Sequence, residues 1–148
     1  MTARADAIDQ IMAVMHAAFD PAFGEAWNRR QVEDALLIGN CHYGLVCVGT
    51  TCAGFYLSRH GVEEEELLLL AVCPEHRNRG LGGQLLAQFA QQAKGRGATR
   101  LLLEMRRGNS AGKLYGANGF VQIGERPNYY RSANGVRIDA LTLACEML

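Results

Sequence analysis

Val72-Cys73-Pro74-Glu75-His76-Arg77-Asn78-Arg79-Gly80-Leu81-Gly82-Gly83 reads as the end of a buried strand, a basic turn, and the start of a helix inside a glycine cluster. The run before it, Leu67 to Cys73, is the longest apolar stretch of the chain and stops at Pro74. After it, Leu81, Leu85, Leu86 and Phe89 recur at helical spacing as far as Lys94, and Gly95 and Gly97 close the helix. The first N–H groups of a helix have no intrahelical partner, and the helix dipole is positive there. Glycines let a bulky anion approach those groups, and Arg77 and Arg79 add positive charge, so the turn is suited to a pyrophosphate. Leu85 stands where a dinucleotide fingerprint would need its third glycine, and the Gly-Lys-Ser/Thr of a Walker loop is absent. On spacing alone, an ordinary glycine-rich connection explains the stretch equally well.

Working outward, Ile8, Ile11, Met12, Met15 and Phe19 predict an amphipathic helix over residues 5–19, ended by Asp20-Pro21. A second helix is predicted from Trp27 to Ile38, ended by Gly39-Asn40. His42–Val48 and Cys52–Arg59 read as strands joined by the hairpin Gly49-Thr50-Thr51. Glu66–Cys73 is a third strand, apolar enough to be covered on both faces. Thr99–Met105 is another buried strand, followed by a short helix over Ser110–Asn118 that Asn109 or Ser110 would cap. Two last strands are expected near Phe120–Glu125 and Ile138–Glu146. The acidic run Glu63-Glu64-Glu65-Glu66 reads as a solvated turn.

Size and charge narrow the function. The 148 residues suit one domain spanning 1–148, with 49% hydrophobic residues and 15 basic against 15 acidic. That balance argues against direct nucleic-acid binding. Residues Met1–Asp9 hold no apolar run fit for a signal peptide, and no stretch would span a bilayer, so a cytoplasmic protein without a membrane partner is expected. Cys41, Cys47, Cys52, Cys73 and Cys145 form no two-residue clip and read as reduced, mostly buried thiols. A reactive thiol at Cys73 is conceivable from its place beside the turn. His16, His42, His60 and His76 show no metal-ligand spacing, and no metal is expected.

Ala71 to Gly82 resembles the coenzyme A-binding motif of the GNAT superfamily of N-acetyltransferases. The resemblance continues through Leu103-Glu104-Met105-Arg106-Arg107-Gly108-Asn109-Ser110-Ala111 and Leu114-Tyr115-Gly116-Ala117-Asn118-Gly119-Phe120 to Gly124-Glu125-Arg126-Pro127-Asn128-Tyr129-Tyr130. Residues 66–131 are most similar to RimI-type ribosomal-protein-alanine N-acetyltransferases. The chain departs from that branch in three places. The first strand is short or missing, the tail around Asp139-Ala140 lacks a preceding acidic residue, and Gly24-Glu25-Ala26-Trp27 matches the acceptor-lining region only in part.

The resemblance implies a single α/β domain, with a mixed, mostly antiparallel sheet splayed after its central strand and about four flanking helices. It implies acetyl-CoA as cosubstrate, held by Ala71, Val72, Arg77, Asn78, Arg79, Gly80, Leu81, Gly82, Gly83, Asn109 and Tyr115. Backbone N–H groups near Ala71 and Val72 would polarise the thioester carbonyl. By position alone Glu104 is a strand-end carboxylate and Tyr115 a core aromatic; the resemblance makes them general base and general acid of a direct transfer. Glu66, Trp27, Tyr129 and Tyr130 would line the acceptor site, the two tyrosines reading otherwise as packing in a loop before a strand. The implied acceptor is a peptide or protein N-terminal α-amine, including that of a ribosomal protein. Its unperturbed pKa of about 8 leaves more of it neutral near pH 7 than a lysine at about 10.4. A small-molecule amine acceptor and a non-catalytic coenzyme A sensor are the two alternatives.

Overall fold

The computed structural model describes residues 3–147. Met1, Thr2 and Leu148 of the expected 1–148 domain, and with them the start of the Met1–Asp9 segment read for an address, lie outside the described residues. Two helices come first, α1 (Ala3–Ala18) and α2 (Arg29–Ile38), then three strands, β1 (Cys41–Val48), β2 (Thr51–His60) and β3 (Glu64–Val72). Helix α3 (Leu81–Gly95), β4 (Arg100–Arg106), helix α4 (Gly112–Ala117), β5 (Val121–Arg131) and β6 (Arg137–Glu146) complete the chain. The expected order of elements is therefore present, and the sheet takes its first strand from the chain after α2.

Local chemistry sets the boundaries. Asn28, rather than Trp27, starts α2: its side chain accepts from the Gln31 N–H while the Gln31 side chain accepts from the Asn28 N–H, a reciprocal cap. Asn109 takes the N–H of Ala111 at 2.9 Å and turns the chain, so α4 begins at Gly112, two residues later than expected.

The six strands run in the order β1-β2-β3-β4-β6-β5, with only β3 and β4 parallel. That one pair is short. It joins Glu64–Leu67 to Arg100–Leu103 and then ends, although β3 continues to Val72 and β4 to Arg106. Beyond Leu67 the sheet is split, which is the expected splay.

Leu57 pairs with Leu69 and Ser58 with Leu67, so Leu68 is an extra residue in β3. The bulge changes the side to which the buried residues point. Leu67 packs with Leu85, Phe89 and Leu101 beneath α3, whereas Leu69 and Ala71 pack with Ile11, Met15 and Phe55 beneath α1. Both faces of β3 are thus partly covered, but Leu68, Leu70 and Val72 stay half-exposed at the split.

Two expectations need correction. Glu65, placed in a solvated turn, is 0% exposed inside β3. There its carboxylate accepts from Arg96 Nε at 2.8 Å, Arg96 Nη2 at 2.6 Å and Ser58 Oγ at 2.6 Å. The cysteines are unpaired as expected, yet only Cys73 is buried; Cys47 is exposed and the others are half-buried.

Close packing of β1 on β2 predicts one intolerant position. A Cβ at Gly44 would fall 2.1 Å from Tyr56 Cε2, and Tyr56 is buried against Phe89. Gly44→Ala is expected to lower stability by about 1–3 kcal/mol through overpacking, read as a lower urea midpoint at unchanged slope.

Candidate active site

The split between β3 and β4 holds two cavities that meet. The larger, of about 520 Å³, runs from the end of α1 past Leu70, Ala71 and Val72 to the start of α3 and the Asn109–Ala111 turn. The smaller, of about 350 Å³, lies between the α1–α2 connection, the Glu66–Leu70 segment, Glu104 and Tyr129–Tyr130. Phe19, Glu25, Leu70, Asn109 and Tyr115 line both. The result is one passage through the sheet with two mouths.

The larger mouth is built for an anion. Asn78 and Gly80 adopt positive φ, of 64° and 77°, which folds the turn back so that α3 begins facing the cavity. Gln84 N–H is the first to bond back, to the Gly80 carbonyl at 3.1 Å, leaving the N–H groups of Leu81, Gly82 and Gly83 outside that helical ladder. A Cβ at Gly82 would sit 3.1 Å from Leu114 Cδ2, so glycine keeps the wall between α3 and α4 open. His76 Nδ1 is buried, has no partner and belongs to a residue lining this mouth. These features fit a pyrophosphate carrying a long arm into the split.

Arg77 lines the cavity, but its Nε donates to the Val72 carbonyl at 3.1 Å and its Nη2 to that of Ala18 at 3.0 Å. It braces β3 against α1, with remaining donors for an anion. Arg79 lines neither cavity.

The smaller mouth is acidic but charge-paired. Arg59 meets Glu66 at 2.8 Å, Arg126 meets Glu104 at 3.2 Å, and Arg106 meets Glu25 at 3.2 Å while stacking over Phe23 at 3.9 Å. Glu66 is the third residue of β3 rather than its first. Trp27 and Glu104 also line this mouth. Tyr129 and Tyr130 lie not in a loop but in β5, where Arg126 pairs with Ala140 and Tyr130 with Ile138. That irregularity pushes out Pro127–Tyr129, and the Asp139 carboxylate fixes it by accepting the Asn128 N–H at 2.9 Å. Both tyrosines thereby reach the cavity.

Tyr115 stands where the two mouths join and is only 7% exposed. Burial, with the nearby Glu25 carboxylate second, pushes its phenol up to about 12. Tyr130 is pushed up to about 12 by burial, then by Glu104 and Glu25. All the expected site residues except Arg79 come together around this passage.

Residues 10–120 match the acetyltransferase (GNAT) family. The chain belongs to that family. Within it, the [ribosomal protein bS18]-alanine N-acetyltransferase of Haemophilus influenzae is 36% identical over 92 residues, covering 62% of this chain and 63% of the relative. The enzyme of the same name from Escherichia coli K12 is 36% identical over 93 residues, 62% of each chain. The matched stretch therefore spans less than two thirds of these curated relatives. The crystal structure of the ribosomal-protein-S18-alanine N-acetyltransferase from Escherichia coli superposes with a TM-score of 0.84 at 26% identity, covering 95% of this chain and 87% of that one. The split sheet described above is thus a GNAT fold.

The sequence alone does not single out His76, Phe23 or the Glu25–Arg106 pair. His76 lies within the quoted turn, but only the tertiary fold shows its Nδ1 to be unpartnered. Glu25 and Arg106 are 81 residues apart, and no local pattern pairs them. Among the described residues, no group of three His, Cys, Asp or Glu could hold a metal, and no helix is long and apolar enough to cross a membrane.

Proposed function

We propose that this protein transfers an acetyl group from acetyl-CoA to the α-amine of a peptide or protein N-terminus, in the manner of the ribosomal-protein-alanine N-acetyltransferases. The observation that carries the reading is the two-mouthed passage with Tyr115 at its waist. One mouth suits a pyrophosphate and the other an acceptor bearing a positive charge.

Acetyl-CoA, when bound, supplies the acetyl group as a thioester. The N–H groups of Leu81, Gly82 and Gly83, with Asn78, Gly80, Asn109 and the free donors of Arg77, are assigned to the cofactor. Ala71 and Val72 present strand edges to its arm, since β4 no longer pairs with them. Glu66, Trp27, Tyr129 and Tyr130 are assigned to the acceptor, drawing in an ammonium while excluding water. Glu104 takes the proton that the amine must lose, and Tyr115 Oη gives one to the departing sulfur. Bringing both reactants into one passage supplies much of the acceleration.

The deciding assay offers acetyl-CoA with either a peptide bearing the N-terminus of the small-subunit protein bS18 or a simple diamine. Mass spectrometry locates the acetyl group. Acetylation of the peptide α-amine supports the reading; transfer to the diamine alone replaces it with a small-molecule acetyltransferase. Coenzyme A binding without transfer to any amine would leave a sensor.

Tyr115→Phe is expected to lower kcat by roughly 10²-fold with little change in KM for acetyl-CoA, because the lost group acts on the leaving sulfur. Since the phenol is held up to about 12, wild-type kcat should not fall through pH 10, where an ordinary tyrosine would lose its proton. A fall centred near 10, absent in Tyr115→Phe, would contradict this.

A further inference from the structure

Away from the passage, three adjacent strands each carry a cysteine at one end of the sheet. Cys47 lies near the end of β1, Cys52 near the start of β2, and Cys73 just after β3. Cys47 and Cys52 are direct cross-strand partners, next to the pair Val48 and Thr51 that closes the hairpin. Cys52 Sγ donates to the Gly54 carbonyl at 3.5 Å, and Cys52 packs against the apolar cluster that holds Cys73. Accessibility falls along the row: Cys47 is exposed, Cys52 half-buried and Cys73 buried.

We propose that Cys47 and Cys52 close to a reversible cross-strand disulfide when the protein meets a small-molecule disulfide, with Cys47 captured first. Directly opposed residues of an antiparallel pair have Cα atoms about 4.5–5.5 Å apart, inside the range of about 4.4–6.8 Å that a disulfide spans. Closure therefore asks mainly for rotation of two side chains, beside the irregularity that leaves Ala53 without a partner in β1. The turn already holds the pair together, so the second thiol acts at high effective concentration.

The chemistry balances without metal or oxygen. The Cys47 thiolate attacks one sulfur of the reagent and expels a thiolate, leaving a mixed disulfide. The Cys52 thiol gives up its proton, attacks Cys47 Sγ and expels the second thiolate. Two protein thiols are oxidised, one reagent disulfide is reduced, and the two protons end on the two released thiols. Burial raises the thiols of Cys52 and Cys73, so neither competes with exposed Cys47 for the first attack, and Cys52 enters at the intramolecular step because it stands opposite Cys47. Ring closure constrains few residues, so the bond should reduce readily.

The test treats the full chain with oxidised glutathione, alkylates the remaining thiols and analyses intact protein and peptides by mass spectrometry. Five free thiols should fall to three. The product should be lighter by two hydrogens, with no backbone fragments separating 47 from 52 until a reductant is added. Cys52→Ser should retain glutathione on Cys47, Cys47→Ser should resist cross-linking, and Cys41→Ser and Cys73→Ser should behave as the natural chain. Persistence of five thiols, a stable glutathione adduct on the unsubstituted chain, or a link through Cys41, Cys73 or Cys145 would each overturn the proposal. The decisive readout is on the unsubstituted chain and does not depend on any variant folding.

Discussion

Glu104→Gln should reduce acetyl transfer by roughly 10²–10⁴-fold, with kcat and kcat/KM falling together. The substitution keeps the size of the side chain and an acceptor for Arg126 Nε, 3.2 Å away. It removes only the ability to take a proton. Glu104 is the first β4 residue beyond the last β3–β4 pair, Leu67 with Leu103, so it stands at the point where the sheet opens. It lines the acceptor mouth and not the cofactor mouth, so acetyl-CoA affinity should not change. Arg126→Met provides the control: the arginine is 62% exposed, the pair contributes at most about 1 kcal/mol to stability, and the rate loss should be far smaller. Steady-state kinetics on the peptide acceptor, with circular dichroism to verify the fold, settles the matter. An undiminished kcat in Glu104→Gln would make Glu104 a structural carboxylate and move the search for the base to Glu25, beside Tyr115.

The parts of this site that are legible in sequence are those written into contiguous residues. The strand, turn and helix around Arg77–Gly83 combine an apolar run, a proline, and an asparagine and a glycine, Asn78 and Gly80, at the two positions of positive φ. Glu104 and Tyr115 stand in one continuous motif between a strand and a short helix. What sequence reading misses depends on pairing across distance. A one-residue bulge at Leu68 decides which face Leu67 and Leu69 cover, and apolar residues on both sides give no sign of it. Tyr129 and Tyr130 reach the acceptor mouth only because β5 bulges against β6, held by Asp139. Nothing in four successive glutamates marks Glu65 as buried, because its partner lies 31 residues on, after α3.

That buried pair should produce the largest loss of stability. Arg96→Ala removes two of the three side-chain hydrogen bonds that hold the buried Glu65 carboxylate, leaving that from Ser58. Removing one partner of a buried ion pair costs about 3–5 kcal/mol. In a domain of this size that corresponds to a melting temperature lower by roughly 10 °C. Replacing both, as Glu65→Leu with Arg96→Leu, should recover much of the loss, since an apolar pair carries no desolvation cost. The pH dependence distinguishes the pair from mere packing. Burial by itself would raise the Glu65 carboxyl, yet the hydrogen bonds from Arg96 and Ser58 and the arginine charge together hold it below its ordinary value. A carboxyl depressed in the folded state adds stability above its unfolded pKa of about 4.3, and that stability is lost as pH falls through the folded value. In Arg96→Ala burial dominates and the folded value rises above the unfolded one. That variant should therefore lose stability as pH rises through the window above about 4.3, the opposite slope. Urea unfolding of both proteins between about pH 3 and pH 7 tests the sign, with the unsubstituted protein changing below about 4.3 and the variant above it; parallel profiles would show that Arg96 contributes to the fold by contact alone.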